Sequence, residues 1–199
     1  MKNVTAKFKT TCLLLFGAMT LSVGIQAREN LFANSFEQAG YGGPELIITQ
    51  LNGSNGLIIG GKGAGIWGND IYAFSTGIGA YMTAGRLALD ATRDFSLAYV
   101  GATAGYSKDP SSMIHFTSDA FLGLGQAWST DRTTSDRLET GNVLVLSVGV
   151  SAEINLTEHF QVGVGGGWRA VSNPDIAGLS GSQLSGPSAT LSFKFGNFD

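Results

Sequence analysis

The chain has 199 residues, only 14% of them charged against 43% apolar, with 29 glycines and four prolines. Soluble domains average about 25% charged residues, and a net of −3 without a basic cluster argues against nucleic acid, whose phosphates require grouped Lys and Arg. The only cysteine is Cys12, which excludes an intrachain disulfide or a thiolate metal site.

Residues 1–27 read as a cleaved secretory signal. Lys2, Lys7 and Lys9 precede the apolar run CLLLFGAMTLSVG, and Gln26-Ala27 offers a small residue at the cut. The run is shorter than the ~18 residues a spanning helix needs. Cys12 opens the run rather than ending it, so it does not read as a lipoprotein attachment site. Three of the twelve bases lie in the signal, leaving nine against fifteen acids, a net of −6 for the exported chain. Residues 28–41 read as a periplasmic lead-in, and 42–199 as one domain. No later stretch is long and apolar enough for a transmembrane helix, so a membrane reading requires strands closed into a barrel.

The strands follow in order. Residues 44–51 place Leu46 and Ile48 on one face, and NGSNG at 52–56 makes a tight turn, read as a four-residue loop over 52–55. Residues 57–68 form the second strand. Asn69-Asp70 turns into the third, 71–82, with Tyr72, Phe74, Ile78 and Met82 on one face. A looser stretch, 83–94, leads to 95–106, where both faces are apolar or small and a bulge near Val100-Gly101 would flip the register. SKDPSS at 107–112 turns into 113–128, whose even face carries Ile114, Phe116, Ala120, Leu122, Leu124 and Trp128. After 129–142 comes the clearest pair, VLVLSVGVSAEI (143–154) and FQVGVGGGWRAV (160–171), joined by NLTEH. Segment 172–186 precedes a last strand from Pro187, alternating Ala189, Leu191, Phe193 and Phe195 against Ser188, Thr190, Ser192 and Lys194.

Period-two alternation over about a dozen residues exceeds ordinary soluble strands and matches the roughly 9–11 tilted residues that cross a bilayer. One face is nearly free of charge. The other holds about one charge per strand among Gly, Ser and Thr, too few for a solvated surface. The fold class that results is all-β, an eight-stranded antiparallel up-and-down transmembrane β-barrel. Its short turns fall on the side of the N-terminus, and long polar, flexible loops (83–94, 129–142, 172–186) lie opposite. Trp67, Tyr72 and Phe160 on the turn side, with Trp128 and Trp168 on the loop side, fit an aromatic girdle.

On these features the chain resembles the small eight-stranded outer-membrane barrels typified by the OmpA transmembrane domain and OmpX. The stretch YGGPELIITQLNGSNGLIIGGKGAGIWGND (41–70) is also similar to an uncharacterised group of exported barrels with Gly-Gly-Pro, Asn-Gly and Gly-Gly-x-Gly in that order. The first resemblance implies insertion by the barrel-assembly machinery and contact with outer-membrane lipid and lipopolysaccharide. Barrels of that class end in an aromatic residue in register with the last strand. Here Phe195 is in register, and Gly196-Asn197-Phe198-Asp199 follows it.

The inward charges are Glu45, Lys62, Asp119, Glu153, Arg169 and Lys194. Charges out of water must be paired. With a 52–55 loop Glu45 faces Lys62, and strand closure brings Lys194 near, so the expectation is a Glu45–Lys62–Lys194 cluster at the seam. Its role is to fill a lumen too narrow for flow, with an ion-conducting constriction as the alternative. Glu153 is expected opposite Gln161 and too far from Arg169 to pair. His115, Thr117 and Asp119 share the inward face, a set that some lipid A-modifying barrels approximate on their lipid side; facing a lumen, Thr is a poor nucleophile without a placed base. Gly63 to Gly68 fits G-x-G-x-x-G, yet a dinucleotide site needs a helix next and a strand follows. Gly65-Ile66-Trp67 resembles the Gly-x-Trp of lipocalins, on the wrong strand. No spacing of His and carboxylates fits a metal, and no cofactor is expected. The reading is a non-enzymatic integral outer-membrane protein whose closed polar core supports surface loops. The alternatives are a lipid A-modifying enzyme, a soluble lipocalin-like barrel and a narrow ion channel.

Overall fold

A computed structural model describes residues 39–198; the signal at 1–27 and most of the 28–41 lead-in lie outside the described residues. Its elements are β1 (Ala39–Leu51), β2 (Ser54–Gly68), β3 (Tyr72–Thr83), β4 (Leu87–Ala88), β5 (Arg93–Lys108), β6 (Ile114–Asp131), β7 (Arg137–Thr157), β8 (Phe160–Val171), the single-turn helix α1 (Gly181–Leu184) and β9 (Gly186–Asn197). Each long strand pairs antiparallel with its sequence neighbour, β3 with β5 across the short β4, and β1 with β9 closes the ring of eight. β4 leans on the loop-side edge of β5, pairing Leu87 with Phe95.

Alternation decides the two faces. Ile48, Ile78, Phe116, Leu124, Val150 and Val164 stand outward, 60–70% exposed. Glu45, Thr117, Glu153, Arg169 and Lys194 stand inward and are buried. An apolar surface running round every strand belongs in lipid, not water. The soluble-barrel alternative requires the reverse arrangement.

Several elements differ from the sequence reading. The first turn has two residues, not four: Leu51 pairs with Ser54, and Asn52 (φ 50°) and Gly53 (φ 72°) both take positive φ, as the Asn-Gly type I′ turn demands. β1 begins at Ala39 rather than residue 44, inside the stretch read as lead-in. β5 carries no bulge at Val100-Gly101; it stays in continuous register with β3 and β6. Register shifts fall instead at Ser129/Thr130 and Asn155/Thr157, beside the turns. Segment 129–142 is mostly strand, because β6 runs to Asp131 and β7 starts at Arg137, a strand of 21 residues. Segment 172–186 folds back over the mouth.

The apolar core sits at that mouth. Leu51, Ile58, Phe95, Leu97, Val143, Val145 and Val171 point inward from the strands, and Ile176, Leu179 and Leu184 close over them from the β8–β9 segment. Just below, Tyr81, Tyr99 and Phe121 form a ring trio with centroids 5.3–5.6 Å apart. These rings line the lumen below the dry mouth together with Glu45, Lys62 and Arg169.

Candidate functional site

Two carboxylates organise the polar lumen. Glu45 meets Lys62 Nζ at 3.0 Å on one oxygen and accepts the Tyr81 hydroxyl on the other. The two-residue turn sets Glu45 opposite Gly60, so Lys62 reaches it along the diagonal of the β1–β2 ladder. Lys194 does not join this pair, contrary to the expected three-residue cluster. Its Nζ lies 2.5 Å from Glu153 and 4.5 Å over the Tyr41 ring.

The reason lies in β8, which separates Lys194 from Glu153. The turn at Glu158-His159 and the adjoining register shift place Glu153 opposite Gly163, two residues from the expected Gln161. Gly163 has no side chain to intervene. A Cβ there would come within 3.3 Å of Glu153 Cγ and would crowd Ser192 Oγ. Glu45, meanwhile, has both oxygens engaged. The second oxygen of Glu153 lies 3.3 Å from His115 Nε2, so the turn-side half of the lumen is filled by a Lys194–Glu153–His115 set.

Thr117 pairs with Ser107 (Oγ1 to Oγ, 2.8 Å) instead of with His115. Asp119 lines the middle of the lumen with Lys62 and Tyr81. The His115/Thr117/Asp119 set therefore makes no nucleophile–base contact among the described residues. Nor do Glu153 and Arg169 meet. Arg169 points the other way: Nε and Nη2 donate to the Leu184 carbonyl at 3.2 and 2.8 Å, and Nη2 to Thr49 Oγ1 at 3.3 Å.

Those bonds hold the lid. Asn52 N–H donates to Gln183 O, and Gln183 Nε2 to Asn52 Oδ1, both at 2.7 Å. Val171 N–H donates to Ser185 Oγ at 2.8 Å. With Leu184 fully buried beneath, α1 is a one-turn stopper fixed by polar bonds at its rim. Tyr81 and the lid residues Ile176, Leu179 and Leu184 are the parts that sequence reasoning missed. The signal was present: Leu51, Ile58, Phe95 and Leu97 make the loop-side lumen apolar, and such a mouth needs apolar residues to close it.

The remaining loop tips tie to one another at the surface. Arg93 Nε meets Asp90 at 2.7 Å and its Nη1 faces Glu139 at 3.7 Å. Arg132 Nε meets Asp94 at 2.7 Å, and Arg86 donates to Ser135 Oγ at 3.1 Å. The Thr92 backbone N–H, with the Arg93 side chain, holds the Asp90 carboxyl well below its ordinary pKa. Of the aromatic candidates, Trp67, Tyr72 and Trp168 are exposed outward. Phe160 stacks on Phe195 at 4.7 Å. Trp128 lies under the Arg137 guanidinium at 4.6 Å.

An apolar exterior, a plugged polar lumen and eight antiparallel strands in chain order define a small transmembrane β-barrel, the architecture of the OmpA/OmpX-like outer-membrane proteins. No known protein family matches the sequence and no curated protein does, so the Gly-Gly-Pro resemblance has no counterpart there. Among solved structures, the attachment invasion locus protein Ail of Yersinia pestis, in complex with the heparin analogue sucrose octasulfate, matches with a TM-score of 0.51 at 13% identity, over 80% of this chain and 95% of that one. Neisserial surface protein A matches at 0.47 and 15% identity, over 80% and 96%. The N-terminal β-barrel domain of Pseudomonas aeruginosa OprF matches at 0.46 and 14%, over 80% and 99%. At these identities the likeness is one of fold alone.

Proposed function

We propose that the protein is a non-enzymatic integral protein of the bacterial outer membrane whose plugged barrel is a rigid support for its loop-side surface. The observation that carries this reading is the lumen itself, closed by an ion-paired layer at one end and by the α1 lid at the other. The side chains with chemical potential are committed to that filling: His115 to Glu153, Thr117 to Ser107, and Tyr81 to Glu45. In this orientation the short turns face the periplasm, the exterior meets lipid, and the girdle tryptophans sit at the interfaces.

The loop-side surface then faces outward, where lipopolysaccharide or a neighbouring protein is the partner. Its charge favours a mixed or neutral partner over a polyanion. Arg93 and Arg132 are already tied to carboxylates, so a heparin-like ligand, such as the one bound by the Yersinia protein, would have to break those pairs. Mass spectra of lipid A from cells with and without the protein test the reading. Identical spectra are expected. A lipid A modification that appears with the protein and is lost in His115→Ala, while the barrel stays folded, would instead make it an enzyme.

A further inference from the structure

Below the lid the lumen holds a partly open chamber of about 70 Å³ whose lining includes Glu45, Lys62, Asp119, Ser147, Arg169 and Thr190. About 10–15 Å³ of such space holds one water, so the chamber has room for a few waters or a small ion with part of its hydration. Arg169 is 1% exposed and its Nη1 has no hydrogen-bond partner among the described residues. A guanidinium is donor-only, so whatever meets Nη1 must be an acceptor.

Charge narrows the choice. Of the three lumen bases, Lys62 and Lys194 each lie against a carboxylate, Glu45 and Glu153 respectively. Arg169 has the Leu184 carbonyl and the Thr49 hydroxyl, with the Tyr99 hydroxyl also beside its guanidinium, and none of the three carries a charge. The remaining acid, Asp119, lines the same chamber but makes no ion pair with Arg169. It flanks β7 from the β6 side opposite Gly149, whereas Arg169 flanks it from β8 opposite Ser147, one side-chain level nearer the mouth. A buried cation without a fixed counter-charge is costly, and a mobile counter-ion relieves that cost. The Ser147, Ser188 and Thr190 hydroxyls line the same space and offer further donors.

We propose that this chamber is a binding site for a small monovalent anion of halide size, anchored by Arg169 Nη1, with the β8–β9 segment as its lid. A doubly charged anion is disfavoured by Glu45 and Asp119, which line the same space. The same guanidinium holds the Leu184 carbonyl, so an occupied chamber and a seated lid support one another. Asp119 limits the affinity, because its charge repels the ligand.

Chloride NMR line broadening on the purified full-length protein in detergent, with bromide as competitor, tests this. The expected result is broadening above that of detergent alone, reversed by bromide. It should be lost in Arg169→Met and its affinity should rise several-fold in Asp119→Asn. Crystals soaked in bromide should show an anomalous peak beside Nη1. Each sample is first shown to be a folded barrel by its heat-dependent gel shift, so that a missing shift counts against the barrel and not the site. If Arg169→Met does not fold, Asp119→Asn carries the test alone. No excess broadening in folded protein, broadening that neither substitution changes, or water alone beside Nη1 would overturn the proposal.

Discussion

The two halves of the lumen solve one problem in opposite ways. On the loop side the strands aim Leu51, Ile58, Phe95, Leu97 and Val145 inward, and the chain supplies Ile176, Leu179 and Leu184 to cover them. On the turn side His115, Glu153 and Lys194 point inward and pair with one another without a lid. Apolar filling is non-directional and tolerates small shifts. Ion-paired filling depends on geometry, and losing one partner strands the others away from water. The halves should therefore fail differently.

The largest effect is expected at the turn side. Glu153→Ala leaves Lys194 without its carboxylate and should cost about 3–5 kcal/mol, seen as a lower urea midpoint for unfolding in detergent or lipid. Replacing the set together (Glu153→Leu, Lys194→Met, His115→Phe) makes this half resemble the other. It should cost less than Glu153→Ala alone, and a larger loss would break the contrast. Leu184→Ala removes the stopper side chain from the dry mouth. The rim bonds let α1 settle, so the cost should be about 2–3 kcal/mol, near the low end for buried leucines, with faster amide exchange across residues 176–185.

Between the halves, Tyr81→Phe takes one donor from Glu45 and leaves Lys62 in place. A loss of about 1–2 kcal/mol in the same unfolding assay is expected. Smallest is the surface: Arg132→Ala breaks an exposed pair with Asp94 and should change stability by less than about 1 kcal/mol. Asp90 sharpens that end by pH. Its folded pKa is depressed, so the order that its charge brings is present above the ordinary carboxylate pKa and is lost as pH falls below it. Amide protection factors at Thr92 and Arg93 should fall only on acidification from that point toward the depressed folded pKa.

Sequence alternation was enough to separate lipid-facing from lumen-facing residues. Ile48, Ile78 and Val150 against Glu45, Glu153 and Lys194 follow from counting by two. The Glu45–Lys62 pair was legible, but its diagonal geometry and the pairing of Lys194 with Glu153 were not, because they depend on turn length. Asn52-Gly53 closes the first hairpin two residues sooner than the 52–55 loop, and Glu158-His159 with its register shift moves Glu153 from Gln161 to Gly163. A shift of two leaves every side chain on its face and changes its partner, so it escapes a pattern-based argument. The lid was missed for another reason. Ile176, Leu179 and Leu184 are thinly spread among Gly, Ser and Asn and carry no period, and only the apolar inward ends of β1, β2 and β5 show what they cover.

An apolar exterior in lipid and a plugged polar interior together define this barrel. The most direct test is SDS gel migration of the outer-membrane fraction, boiled against unboiled. A closed barrel resists SDS until heated, so the unboiled protein should run as a compact species that shifts on boiling, and Glu153→Ala should lower the temperature of that shift. A protein found only in the soluble periplasm, with no shift, would contradict the assignment of Ile48, Ile78 and Val150 to lipid and with it the whole account.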